Sequence, residues 1–217
     1  ISSGDSRGLA ISQGSYLLLQ TINAWPKDSP SIHQIFISQQ GHFGRATVRR
    51  EELQQDALGH IVRYADVHLV IRQSLRDIAM HAPNFSWIHE SDSTSIDESA
   101  FDLIVHAEGG LFKQQEWQEI YRDYEQSAIV GWVRMDRDNH HTAWERFTHE
   151  GPLALLPSHL GSQFLNLVWC SKPQETQRRL ALTTAEFIEE LQKSIIDDVI
   201  DEIIGMLITI FVNYIWT

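Results

Sequence analysis

Three short runs of this chain combine residue types that could do chemistry. The first is Val105-His106-Ala107-Glu108-Gly109-Gly110. An apolar run that ends in an acid and two glycines can offer backbone amides and a carboxylate to a ribose or a pyrophosphate, because glycine permits close backbone approach. The same run reads equally well as a strand ending in a turn. The second is Asp5-Ser6-Arg7, leading into Ala10-Ile11-Ser12. An arginine suits a pyrophosphate because its planar fork donates two hydrogen bonds, but taken alone it is a solvated charge. The third is Ala143-Trp144-Glu145-Arg146-Phe147-Thr148, followed by Gly151-Pro152-Leu153-Ala154-Leu155-Leu156-Pro157. Strand alternation puts Trp144, Arg146 and Thr148 on one face, and Ala143, Glu145 and Phe147 on the other.

Other combinations are weaker. His140, His141, His149 and His159 lie near one another in the chain, yet no pair has the i, i+4 spacing around a glutamate that a zinc helix needs, so no metal site is expected. Cys170 sits in a predicted strand and reads as a small buried hydrophobe. No Gly-x-Ser-x-Gly elbow occurs. The acids Asp197, Asp198, Asp201 and Glu202 read as a solvated helix face.

The elements that must position these runs follow from periodicity. A short helix is predicted within residues 10–24, ending near Asn23, and a strand over 32–38. Val67, Val70, Ile71, Leu75 and Ile78 share a face of a helix over 66–80, which Pro83-Asn84 stops. A short strand over 85–88 and a buried strand over 101–107 come next. Four strands, over 127–135, 142–148, 153–156 and 164–170, recur with polar turns between them, as antiparallel strands do. Thr183-Thr184-Ala185-Glu186 is a capping box opening a helix with Ile188, Leu191 and Ile195 on one side. From Ile195 the chain becomes nearly continuous apolar sequence. It is too short to span a bilayer and is read as more helix packed on the body.

Bulk properties narrow the function classes. The 217 residues suit one large or two small domains, and a 42% hydrophobic share supports a core. A net charge of -12 argues against a nucleic-acid binder and against docking on anionic lipid. One cysteine forms no internal disulfide, which suits a reducing compartment.

Taken together, the three runs resemble the flavin-dependent aromatic hydroxylases of ubiquinone biosynthesis, a branch of the p-hydroxybenzoate hydroxylase-like flavoprotein monooxygenases. The resemblance covers residues 4 to 194. It implies an α+β (mixed α/β) fold: an incomplete FAD-binding region over 1–121, an antiparallel substrate-binding sheet over 122–172, a helix returning to the body over 173–194, and an atypical apolar tail over 195–217. It implies cofactor contacts at Arg7, Glu108 and Gly109, with Glu108 standing where the family usually has Asp. It also implies a substrate pocket at Trp144, Arg146, Gly151 and Pro152. No catalytic side chain is expected, since the cofactor does the difficult chemistry. FAD, reduced by NADPH or NADH, and a polyprenyl phenol substrate would be the partners. The protein would be cytoplasmic, peripheral to the inner membrane or in a ubiquinone-biosynthesis complex. No Gly-x-Gly-x-x-Gly segment is present. The expectation is therefore a central fragment, inactive as an isolated chain. The alternative is a non-catalytic remnant or interaction domain with an apolar ligand pocket.

Overall fold

The computed structural model describes residues 8–86, 97–105 and 124–195, and the backbone of 209–216. The chain divides into one unit from residues 1–74 and 125–217 and another from 75–124. In chain order the elements are β1 (Gly8–Ser12), α1 (Gln13–Thr21), β2 (Ser31–Ile32), β3 (Gln34–Gln39), β4 (Arg45–Arg49), β5 (Gly59–Arg63), α2 (Tyr64–His81), β6 (Ser127–Arg134), β7 (Thr142–Phe147), β8 (Pro152–Pro157), β9 (Phe164–Ser171), α3 (Pro173–Leu180), α4 (Thr184–Ile195) and β10 (Thr209–Trp216). The fold is α+β, with one antiparallel and one mixed sheet among the described residues.

The small sheet runs β1-β5-β2. Its strands approach closely: a Cβ on Gly59 would sit 2.6 Å from the Ile11 carbonyl oxygen. Pairing with β5 holds residues 8–12 extended, so α1 starts later than the predicted 10. Ser12 caps it by accepting a hydrogen bond from the Ser15 amide at 3.3 Å.

The large sheet runs β10-β6-β9-β8-β7-β3-β4. The four strands predicted in the second half all form, joined as antiparallel neighbours in the order β6-β9-β8-β7. β3 then pairs in parallel with β7, placing Ile35 beside Ala143 and Ile37 beside Glu145. The sheet therefore draws strands from both sides of the expected 121/122 division.

One face of the sheet is sealed. Ile129, Val133, Leu153, Leu155, Leu165, Leu167 and Trp169 project there and meet Phe187, Leu191 and Ile195 of α4. The capping box forms as the spacing predicts: the Thr183 amide donates to Glu186 Oε2 at 2.8 Å, and the Glu186 amide donates back to Thr183 Oγ1 at 3.3 Å. That cap divides residues 173–194 into two helices rather than one. Buried Arg179 ties them to the sheet. Its guanidinium lies 4.1 Å over the Trp169 ring, donates to Glu190 Oε1 at 2.8 Å and bonds Glu150.

Three further expectations change. Residues 101–105 are neither strand nor buried; Leu103 is 78% exposed, and neither sheet offers the run a ladder partner. Residues 85 and 86 are not strand, and 87 and 88 lie outside the described residues. The tail is not one long helix: α4 ends at Ile195, and 209–216 pair antiparallel with β6. Its β-branched and aromatic sequence, Thr-Ile-Phe-Val-Asn-Tyr-Ile-Trp, suits a strand at an edge that β6 leaves open.

Two outcomes follow. Leu191→Ala is expected to lower unfolding free energy by about 2–5 kcal/mol in denaturant titration. Hydrogen bonds from Arg178 and Arg179 hold the Glu190 carboxyl below the usual carboxylate range, against its burial. A depressed carboxylate adds stability above its unfolded pKa and loses it as pH falls through the folded value. Acid unfolding below about pH 4.3 should therefore be shallower in Glu190→Gln, read by circular dichroism against pH.

Candidate functional site

The two faces of the large sheet differ in cover, and register assigns each side chain to one of them. Trp144 and Arg146 point to the sealed face. Trp144 packs against the core under α4, and Arg146 is 4% exposed, donating from Nη1 to Ser38 Oγ at 3.3 Å. With Phe36, Leu153, Leu155 and Ile195 they bound a void of about 10 Å³, room for about one water.

The opposite face is partly open. Val130 pairs with Val168, Val168 with Ala154, and Ala154 with Glu145. One step along, Trp132 pairs with Asn166, and Asn166 with Leu156. Leu156 packs against the second core of Ile32, Ile61 and Ala143, while Val130, Trp132, Ala154, Val168 and Cys170 are half-buried and form an apolar strip on this side. Its polar members are held in place. Trp132 Nε1 donates to Asn166 Oδ1 at 2.9 Å, and Asn166 Nδ2 donates to the Pro157 carbonyl at 2.8 Å. The Trp132 ring meets His159 edge-on at 6.4 Å. Burial pushes the Cys170 thiol up, which makes it an inert part of the strip.

Gly151 and Pro152 sit at the β7–β8 turn, away from Trp144. Pro152 pairs with Phe147 and alternates to the open face. Gly151 has φ +151°, and a Cβ there would lie 2.9 Å from the Cys170 carbonyl oxygen. Its requirement is the tight seat of the turn against β9. The Thr148 hydroxyl closes that turn by donating to the Gly151 carbonyl at 2.7 Å. Arg7, Glu108 and Gly109 lie outside the described residues. Sequence reasoning missed Trp132, Asn166 and Val168. The two-residue strand period sorts residues 127–134 and 164–171 onto two faces, but both runs are mostly apolar on each side, so the sequence does not say which face is covered.

Among the described residues, no three His, Cys, Asp or Glu side chains converge as a metal set, and no helix is long and apolar enough to cross a membrane. Burial, with Arg63 nearby, lowers the pKa of His159 below the usual 6.5. The unfolded chain then takes the proton first as pH falls, so this histidine's contribution is full above pH 6.5 and lost below it. The His159 ring signals in NMR titration should show a midpoint below 6.5, and His159→Phe should flatten the stability loss between pH 6.5 and 5.

No protein-family model matches the chain. It is 25% identical over 219 residues to the mouse ubiquinone biosynthesis monooxygenase COQ6, covering 89% of this chain and 46% of that protein. To the Caenorhabditis elegans COQ6 it is 37% identical over 75 residues, 34% of this chain and 16% of that protein. It is also 25% identical over 211 residues to an uncharacterized protein of Synechocystis, covering 87% of this chain and 50% of that protein. The chain spans about half the length of the mouse and Synechocystis relatives. Across nearly nine-tenths of its own length it is similar to ubiquinone biosynthesis monooxygenases.

Proposed function

We propose that this chain carries the substrate sheet of a flavin-dependent monooxygenase of ubiquinone biosynthesis, which hydroxylates the ring of a polyprenyl phenol with FAD and NADPH or NADH. The half-buried apolar strip on one side of the sheet carries this reading. A half-buried surface of valine, alanine and tryptophan suits the hydrocarbon of a prenylated ring, which gains by leaving water. The chain's similarity to ubiquinone biosynthesis monooxygenases supports the reaction class.

The residues at hand do not fit FAD as a complete site. Among the described residues, Gly59 and Gly151 press against this chain's own backbone rather than a vacant cradle. No Gly-x-Gly-x-x-Gly turn occurs to meet a pyrophosphate. The role of these residues is to hold the hydrocarbon of the prenylated ring and keep water from it. A second reading draws on the same observation. An apolar face without a dinucleotide cradle also describes a non-catalytic domain that holds an oily ligand.

Two measurements test this. The purified chain should show no stoichiometric absorbance at 450 nm after FAD addition and desalting; a yellow protein with one FAD per chain overturns that part. Grafted in place of the matching residues of a COQ6 relative, the chain should restore ubiquinone in cells lacking the enzyme. Val168→Asp should cut that activity tenfold or more, while Leu69→Asp on the exposed side of α2 should not. A stable graft that binds a prenylated phenol but never turns it over would favour the second reading.

A further inference from the structure

Next to Trp132, at the end of the sheet, lies a hollow of about 330 Å³. The loop at residues 28–30, the β6–β7 turn and the β8–β9 turn wall it, with Asp28, Pro30, His141, Pro157, Ser158 and His159 in its lining. We propose that this hollow binds one hydroxylated aromatic ring, a phenol or a catechol, held through Asp28, His141 and Ser158. The volume suits a substituted ring: a cavity of about 150 Å³ holds benzene, and small-molecule pockets begin near 300 Å³. Two prolines and two imidazoles supply apolar and aromatic lining, and the Trp132 ring meets His159 edge-on. The polar groups match a hydroxyl. Ser158 is buried, and its hydroxyl accepts from the Leu160 amide at 3.3 Å while keeping one rotatable proton to donate. The Asp28 carboxylate accepts a phenolic O–H and opposes an anion.

The second observation is strain. His140 and His141 both have positive φ, 50° and 58°, in a turn closed by the Thr142 amide donating to the Asn139 carbonyl at 2.9 Å. Such a turn favours Asn and Gly at those positions. His141 is held. Its Nδ1 donates to the Ser31 carbonyl at 3.0 Å, and its ring stacks on His33 at 4.3 Å and 21°. That bond keeps the proton on Nδ1, so in the neutral ring Nε2 is an acceptor. His140 is 81% exposed and is absent from the lining, so it shares the strain without the site.

The choice of a phenolic ring over another hydroxylated ring rests on the function proposed above; the hollow and its strained turn do not. The ring could arrive as a free phenol or as the head of a prenylated one whose tail lies on the apolar strip. Saturation-transfer NMR on the purified chain, with catechol, geranylphenol and myo-inositol as probes, tests this. Catechol and geranylphenol should bind and inositol should not. His141→Asn should weaken both about tenfold while raising Tm by about 2–4 °C, and His140→Asn should raise Tm similarly and leave binding unchanged. Ser158→Ala should weaken binding without the gain in Tm. Tighter binding of geranylphenol that Val168→Asp removes assigns the prenylated source; equal binding untouched by that change assigns the free phenol. Binding to His141→Asn as tight as to the unmodified chain, inositol bound in place of catechol, or no probe bound overturns the site. Catechol binding beside a graft that fails to make ubiquinone keeps the site and removes the proposed reaction.

Discussion

The contact on which the rest of the structure depends is the seal of α4 against one face of the large sheet. Trp169 meets Phe187 edge-on at 5.6 Å, and Leu191 and Ile195 continue the line. Each of these side chains removes apolar area from water, worth roughly 1.5–3 kcal/mol when fully buried. The seal commits one side of β6, β8 and β9 to the interior. The other side of β6, β8 and β9 is left half-open by the two-residue period of the strand, not by any separate design. A usable surface is thus a by-product of which face the helices cover.

A clamp of charge and backbone keeps that seal in register. Arg179 is buried between Trp169, Glu150 and Glu190, so it joins the β7–β8 turn to both helices. A buried cation is favourable only while its partners remain, because leaving one charge alone in the interior is strongly destabilising. The close seat of Gly151 on β9 brings Glu150 within reach of that arginine. Turn, sheet and helices therefore stand or fall together. The parallel pairing of β3 with β7 adds a strand drawn from far earlier in the chain, which extends the sheet beyond Trp144 to β4.

Much of this was legible in the residues. The strands near 127–135 and 164–170 and the capping box at Thr183 each depend on neighbours within a few positions, and each appears where its spacing predicts. Phe101–Val105 and the tail did not follow local pattern. An apolar run becomes a buried strand only with a ladder beside it, and residues 209–216 become a strand because β6 has an edge to offer. Partners so distant in the chain leave no periodic trace.

The sequence alone determined the strands, their two-sided character and the residues that share a side: Trp144 with Arg146, and Glu145 with Phe147. The tertiary structure decided which side is open. Covering one face of a sheet with a helix is a choice between two equivalent alternations, made by the packing of Phe187, Leu191 and Ile195. That packing turned Trp144 and Arg146 inward and left Trp132, Val168 and Pro152 half-buried on the other side. The hollow beneath Trp132 was decided in the same way, since it needs three loops that meet only when the two sheets are in place.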